Sequence, residues 1–356
     1  MLHRLILKIR HRGYDSGRRE VCSSPIPSIC VGNVTVGGTG KTPHTELLLR
    51  LLAQLCPGTR LSVLSRGYGR KSKGYLDVDT QGNSADFGDE PLQIARKCPA
   101  VKVAVDKDRV EGCRRLQEQG AQAVLLDDAF QYRRLAADLN IVLIDYSRPV
   151  FQDRLLPLGS LRDLPERIFK ADILIVSKCP ETLSDAEKGA FAVKLKLSDY
   201  DPSRCTARTP DGREVLLLFS HIEYLPAVPV FPEGDHRYVY SKQAVLMSGI
   251  AKDGALRHHV QCSFRLVKHF RFADHHEYST KDIKKLLAAA KEYPVAAFIT
   301  TEKDGARLLQ MQDFPAELRR RLLMVPIEVE FSNSSEKQLL GSRLLELLSP
   351  SVRTSE

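Results

Sequence analysis

The chain has 356 residues, 43% of them hydrophobic and 27% charged, which excludes a disordered or fibrous protein and leaves room for two globular domains. Fifty-three Lys and Arg against 44 Asp and Glu give a formal charge of +9, suited to an anionic partner such as phosphate, an acidic lipid surface or nucleic acid. Eight scattered Cys with no C-x-x-C pair argue against a disulfide framework or structural zinc and indicate a reducing cytosol.

The first twelve residues, MLHRLILKIRHR, place Leu2, Leu5, Ile6 and Ile9 at helical spacing among His3, Arg4, Lys8, Arg10, His11 and Arg12. Residues 1–20 thus form a basic amphipathic segment with two readings. It can lie in a lipid headgroup layer, or it can pack its leucines on the protein's own core. No apolar run reaches the roughly 18–20 residues of a membrane span, and no secretory signal core is present, so the expected compartment is cytosolic.

Residues 21–204 read as an α/β domain. Short apolar strands are predicted at Ser28–Val34, Leu61–Ser65, Val101–Val105, Ala123–Leu126, Asn140–Ile144 and Ile173–Val176. Helical patterns near Thr42–Leu55, Glu90–Lys97, Asp108–Gln119 and Pro165–Phe169 separate them. That alternation predicts a parallel sheet with helices on both faces. Proline punctuates 205–242 (Pro210, Pro226, Pro229, Pro232), which reads as an extended linker. A smaller C-terminal α/β domain is predicted over 243–349. Its strands are Ala244–Ser248, Phe264–Phe270, Ala296–Thr300 and Leu323–Val329, with helices near Asp253–Val260, Thr280–Tyr293 and Glu336–Leu348. Residues 350–356 read as a frayed tail.

Between the first strand and the first long helix lies Thr35-Val36-Gly37-Gly38-Thr39-Gly40-Lys41-Thr42. Glycines let backbone N–H groups close around phosphate oxygens, and the helix N-terminus adds a favourable dipole. In such a loop Lys41 reaches the β- and γ-phosphates of ATP and the Thr42 hydroxyl takes Mg²⁺. The usual pattern G-x-x-x-x-G-K-[ST] begins with Gly where this chain has Thr35. A helix entry without ligand is the bland alternative; the strand–loop–helix context favours a P-loop NTPase fold. A second signal is Asp127-Asp128 at the C-terminal end of Ala123-Val-Leu-Leu, where ligands bind in open α/β sheets. Two adjacent acids suit Mg²⁺ or its waters better than a single turn or helix cap.

Further segments fall in order along the chain: Val31-Gly32-Asn33-Val34, Ser65-Arg66-Gly67-Tyr68-Gly69-Arg70, Gly88-Asp89-Glu90-Pro91, Asp106-Lys107-Asp108-Arg109 and Asp127-Asp128-Ala129-Phe130-Gln131. Then come Leu156-Pro157-Leu158-Gly159-Ser160-Leu161-Arg162, Gly249-Ile250-Ala251, Phe272-Ala273-Asp274-His275-His276 and Thr301-Glu302-Lys303-Asp304. Together with the phosphate loop, this series resembles the tetraacyldisaccharide 4′-kinase (lipid A 4′-kinase) family of Gram-negative bacteria, over about residues 26 to 310. The amphipathic N-terminus is shorter and less apolar than in typical members of that family.

The resemblance implies transfer of the γ-phosphate of MgATP to the 4′-hydroxyl of a tetraacyl glucosamine disaccharide 1-phosphate. It further implies peripheral attachment at the cytoplasmic face of the inner membrane, and neither nucleic acid nor an obligatory protein partner. It makes Asp89 the candidate general base, although Asp before Glu-Pro also reads as a plain helix cap. Glu90 would support the metal or the loop. His275, ahead of His276, would orient and tune Asp89 from the second domain. Arg109 and Arg162 are the expected charge neutralisers, since planar guanidinium suits phosphate. Arg66, Tyr68 and Arg70 suit the sugar or its 1-phosphate. The residues alone give Thr301–Asp304 no chemical role.

Three other readings compete. A regulatory P-loop NTPase that reads guanine would show Asn-Lys-x-Asp after a strand; Ser177-Lys178-Cys179-Pro180 and Glu302-Lys303-Asp304 both fail that template. A nucleic-acid binder lacks a recognisable module, and with no Trp and 7% aromatics a base-stacking surface is poorly supplied. A kinase of a soluble sugar leaves the amphipathic N-terminus without a purpose.

Overall fold

The computed structural model describes residues 2–250, 252–274, 276–311 and 313–349. The chain forms two units, one of Met1–Ile222 with Val329–Glu356 and the other of Glu223–Glu328.

The first unit is built on seven parallel strands: β1 (Ser28–Gly32), β2 (Leu61–Ser65), β3 (Lys102–Val105), β4 (Ala123–Asp127), β5 (Leu139–Asp145), β6 (Ile173–Ser177) and β7 (Glu214–Tyr224). Their spatial order is β3-β2-β4-β1-β5-β6-β7. Every residue of β1, β2, β4 and β6 is buried. That is the physical meaning of their near-continuous Val, Ile and Leu runs, because helices cover both faces of a parallel sheet. The first-unit helices introduced here are α1 (Leu2–Asp15), α2 (Lys41–Leu55), α3 (Asp89–Lys97), α4 (Arg109–Glu118) and α5 (Asp185–Lys194). Helix α2 buries Leu47, Leu48, Leu49, Leu51 and Leu52, each contributing roughly 1.5–3 kcal/mol of apolar burial. The central β1 with α2 behind it therefore holds the phosphate loop from both ends.

In the second unit, β8 (Gln243–Ser248), α6 (Gly254–Ser263), β9 (Arg265–Arg271), α7 (Thr280–Glu292), β10 (Ala297–Thr301), α8 (Glu302–Leu309) and β11 (Leu322–Val325) follow one another. The four strands are parallel in the order β11-β10-β8-β9, with Val228–Pro229 antiparallel at the β11 edge.

Four features differ from the sequence reading. The stretch 205–242, read as a linker, contains the antiparallel strand Thr206–Arg208 and all of β7, whose Val215–Ser220 segment is buried. The prolines lie outside these strands and punctuate their ends. The single strand expected at Leu323–Val329 is two, β11 and β12 (Ile327–Phe331), divided at Pro326, which has no N–H to give a ladder. Strand β12 pairs with β7 and returns the chain to the first unit. The closing helix α9 (Ser334–Leu348) consequently packs Leu340 and Leu344 in one core with the leucines of α2. It does not belong to the second unit. Pro165–Lys170 is a 3-10 helix where an α pattern was expected. The tail 350–356 lies outside the described residues.

Helix α1 exposes Leu5, Ile6 and Ile9 at 55%, 54% and 61%, and buries Leu7 and His11. Of the two readings of this segment, packing of those three apolar residues on the core is not what the structure has. Polar ties hold the helix in place. The His11 Nε2 lies 2.6 Å from Asp163 Oδ1, and Arg10 Nη2 donates to the Gln131 carbonyl at 2.7 Å.

Candidate active site

The phosphate loop leaves β1 and enters α2 with Gly37 and Gly40 at φ +90 and +85, backbone that L side chains rarely adopt. A Cβ at Gly37 or Gly38 would meet nothing within 4 Å, so the loop is open at these two positions. Thr35, the departure from the usual glycine, is 3% exposed. Its hydroxyl accepts from Asn33 Nδ2 at 3.3 Å, and its backbone bridges Leu161. The same Asn33 amide donates to Thr39 Oγ1 at 2.7 Å. Val36 donates its N–H to the Ser160 carbonyl at 2.7 Å. Thr42, at 2% exposure, sits in the first turn of α2.

Lys41 Nζ lies 3.8 Å from Asp128 Oδ2. Asp128 stands one residue beyond β4 with φ +49, and Arg162 bonds both of its carboxylate oxygens, Nη1 to Oδ2 at 3.0 Å and Nη2 to Oδ1. Burial pushes this carboxyl up, but Arg162 and Lys41 more than offset it and hold the group below the usual carboxylate range. Asp127 behaves oppositely. Burial, then the charges of Glu90 and Asp128, push it up to about 7, against the pull of Lys41 and the Ser65 hydroxyl 3.1 Å away. The two adjacent acids are thus shifted in opposite directions by their different neighbours.

Asp89 opens α3, where Gly88 is the N-cap and has no side chain to close it. The cap reading of Asp89 therefore does not apply: it is the first residue inside the helix. Gly88 has φ +91, and a Cβ there would come within 2.9 Å of the Tyr68 carbonyl. That close approach seats Asp89 and Glu90 against the 66–70 loop, which carries three of the residues expected to read substrate. Arg66 and Tyr68 are exposed there, Tyr68 at 79%. Arg70 is 9% exposed and folded into its own loop, donating to the Gly74 carbonyl at 2.6 Å and to Ser72. It shapes the loop that presents Arg66 and Tyr68. Arg109, 2% exposed, donates to the Asp106 carbonyl at 2.8 Å, and its charge acts with Asp127 and Asp128. It supports the acid pair from inside the protein.

Lys41, Glu90, Arg109, Asp127, Asp128 and Arg162 thus belong to one connected electrostatic system within the first unit. His275 lies outside the described residues. His276 is stacked on Phe272 at 4.6 Å and its Nε2 meets Asp282 Oδ2 at 3.0 Å. Asp304 is fully buried and accepts the Gly249 N–H at 2.8 Å and the Thr301 hydroxyl at 2.7 Å. Thr301 caps α8, which explains the Thr301–Asp304 segment locally. Sequence reading passed over Asn33, whose Oδ1 accepts from Arg162 while its amide holds Thr39. Its signal was available: a lone buried amide in an otherwise apolar run.

Among the described residues, no group of three or more His, Cys, Asp or Glu could hold a metal unaided. Mg²⁺ needs no such cage, since it keeps several waters and takes one or two carboxylates together with phosphate oxygens. Thr42, in the first turn of α2, and Asp127, at the end of β4, are of the residue types that could take part in such a set.

Buried parallel strands that open through a glycine loop into a helix, with acids ending the neighbouring strand, are the architecture of the P-loop proteins, and this chain has it. A family model described as tetraacyldisaccharide-1-P 4′-kinase matches residues 1–345. The chain belongs to this family, the 4′-kinases of lipid A biosynthesis. It is 39% identical to the tetraacyldisaccharide 4′-kinase of Parabacteroides distasonis, over 88% of this chain and 83% of that protein. It is 36% identical to that of Porphyromonas gingivalis, over 94% and 93%. Among solved structures it resembles LpxK from Aquifex aeolicus in complex with ATP, at 26% identity and a TM-score of 0.72, covering 98% of this chain and 96% of that one.

Proposed function

We propose that the chain transfers the γ-phosphate of MgATP to the 4′-hydroxyl of tetraacyldisaccharide 1-phosphate, with Asp89 as the base that accepts the hydroxyl proton. The observation that carries this reading is Lys41 set 3.8 Å from Asp128 beside the open glycine loop. Phosphoryl transfer asks mainly for in-line positioning and neutralised charge. The loop N–H groups and Lys41 hold the phosphates. Thr42 and the Asp127–Asp128 pair, supported by Glu90, would hold Mg²⁺, which would supply charge neutralisation on the transferred group. Arg162 holds Asp128 in place, and Arg66 and Tyr68 meet the sugar or its 1-phosphate.

The reaction takes place on the cytoplasmic face of the inner membrane of a Gram-negative bacterium. Among the described residues no helix is long and apolar enough to cross a membrane. Attachment is peripheral in this reading, through Leu5, Ile6 and Ile9 of α1 with Arg4, Lys8 and Arg12 around them.

The test is incubation of the purified chain with Mg²⁺, γ-labelled ATP and tetraacyldisaccharide 1-phosphate in mixed micelles. Label at the 4′ position of the lipid is expected. Lys41→Ala and Asp89→Asn should each nearly abolish it, and Asp89→Asn should still bind ATP. Turnover of Asp89→Asn near the parent rate would remove Asp89 as the base. ATP hydrolysis without labelled lipid would favour the regulatory NTPase reading.

A further inference from the structure

Ser177-Lys178-Cys179-Pro180, which fails the guanine-reading template, lies at the C-terminal end of β6, two strands from β1. From there it reaches the back of the phosphate loop. Lys178 Nζ donates to the Gly38 carbonyl and lies 3.4 Å from Asp145 Oδ2 at the end of β5. The Ser177 hydroxyl donates to the Thr39 carbonyl at 2.8 Å. His44, on the first turn of α2, places Nδ1 2.7 Å from the Gly40 carbonyl. Three successive loop carbonyls are therefore each taken by a side chain.

The arrangement is built in. His44 is 1% exposed, and its Nε2 meets Ser220 Oγ of β7 at 2.9 Å. With Nδ1–H given to Gly40, Nε2 accepts the serine proton, so the ring serves as a neutral bridge from β7 to the loop. Burial pushes this imidazole down to about 4, in keeping with that neutral form. Lys178 has φ +58, a left-handed backbone that a lysine rarely adopts. Such conformations persist where the surroundings over-determine them.

We propose that Lys178, Ser177 and His44 form a clamp on the phosphate loop and act as positioning residues for ATP. A trans peptide sets its C=O and N–H on opposite sides. Drawing the Thr39 and Gly40 carbonyls backward turns the N–H groups of Gly40 and Lys41 forward, toward the phosphates. The clamp keeps the lysine of the guanine-reading template, while Pro180 stands where its acid would be. It holds the loop without offering a carboxylate to guanine. This inference rests on the nucleotide reading of the loop and needs nothing about the acceptor lipid.

The experiment compares the full chain with Lys178→Met, Lys178→Arg and Ser177→Ala. Calorimetric ATP affinity is measured without lipid, together with KM for ATP, kcat and Tm. Lys178→Met should weaken ATP binding and raise its KM by about tenfold or more, the scale of a lost charged hydrogen bond, with a smaller change in kcat. Lys178→Arg should recover most of that loss, and Ser177→Ala should show a few-fold effect of the same sign. ATP constants within about twofold of the parent in both Lys178→Met and Ser177→Ala would overturn the clamp, whatever happens to Tm. Should Lys178→Met fail to fold, Ser177→Ala and Lys178→Arg decide it. Because ATP binding is read without lipid, absence of kinase activity in the parent chain would leave this test intact.

Discussion

Arg162 joins Asp128 to the phosphate loop through a single guanidinium. It bonds both oxygens of the Asp128 carboxylate and also Asn33 Oδ1, while the Asn33 amide holds Thr39 at 2.7 Å. A carboxylate at a strand end and a hydroxyl inside the loop are thereby fixed relative to each other.

Arg162→Lys should consequently be no repair for Arg162→Ala. An ammonium is a point charge and cannot span two carboxylate oxygens and an amide oxygen at once. Both variants should lose roughly 10²-fold in kcat/KM, the scale of a lost preorganised charge contact. Steady-state kinetics check this, and a lysine variant near parental activity would show that charge alone suffices.

A second expectation concerns the buried pair beneath α1. Asp163 is fully buried, and its Oδ1 lies 2.6 Å from His11 Nε2. Burial raises its pKa, but the His11 hydrogen bond and charge more than offset this, leaving it below the ordinary carboxylate range. A depressed native pKa adds stability that is complete above the unfolded value near 4 and fades as pH falls through the native one. In His11→Leu the partner is gone, and burial is opposed only by the Leu164 N–H, 2.8 Å from Oδ1, and the Arg167 charge. Its pKa then rises, and the variant regains stability as pH falls toward 5. At pH 7.5 the buried carboxylate, stripped of its His11 partner, should cost about 3–5 kcal/mol. Urea unfolding of both proteins at pH 7.5 and 5 reads the two slopes, and parallel slopes would refute the assignment.

For membrane attachment, the exposed face of α1 predicts a separable defect. Ile6→Glu with Ile9→Glu puts two charges where 54% and 61% exposed apolar side chains now lie, so folding stability should change little. Sedimentation with anionic vesicles should drop by roughly tenfold or more, given both lost apolar insertion and repulsion from acidic lipid. Undiminished co-sedimentation would take α1 out of the membrane reading.

In the second unit, Asp304 should matter for stability. It accepts from Gly249 N–H, the Thr301 hydroxyl and Arg307 Nη1, the last at 3.2 Å, with no exposed surface of its own. Asp304→Ala leaves the buried donors without their acceptor and should cost about 3–5 kcal/mol. Differential scanning calorimetry reads this directly; an unchanged transition would mean that the loop at Gly249 holds itself.

Much of the first unit was legible because its signals are local. Four fully buried strands read as apolar runs, and the glycine loop lies between β1 and α2 where its turn chemistry placed it. Asp127-Asp128 was legible as a pair at a strand end. Their different states were not, because these depend on Arg162 and Lys41 at one and on Glu90 and Ser65 at the other. The local bonds of Arg70 were not legible for a similar reason. An arginine beside glycines looks the same in sequence whether it reaches for a ligand or for the Gly74 carbonyl.

Apolar period, glycine placement and the order of short motifs were enough to assign the fold class, the phosphate loop and the family, since each is written within a few consecutive residues. The return of β12 to β7, the docking of α9 on α2, the reach of Lys178 to the phosphate loop and the tie of His44 to Ser220 could not be read that way. Each depends on which surfaces meet once the chain has closed on itself, and a hydrogen bond across more than a hundred residues leaves no period in the sequence.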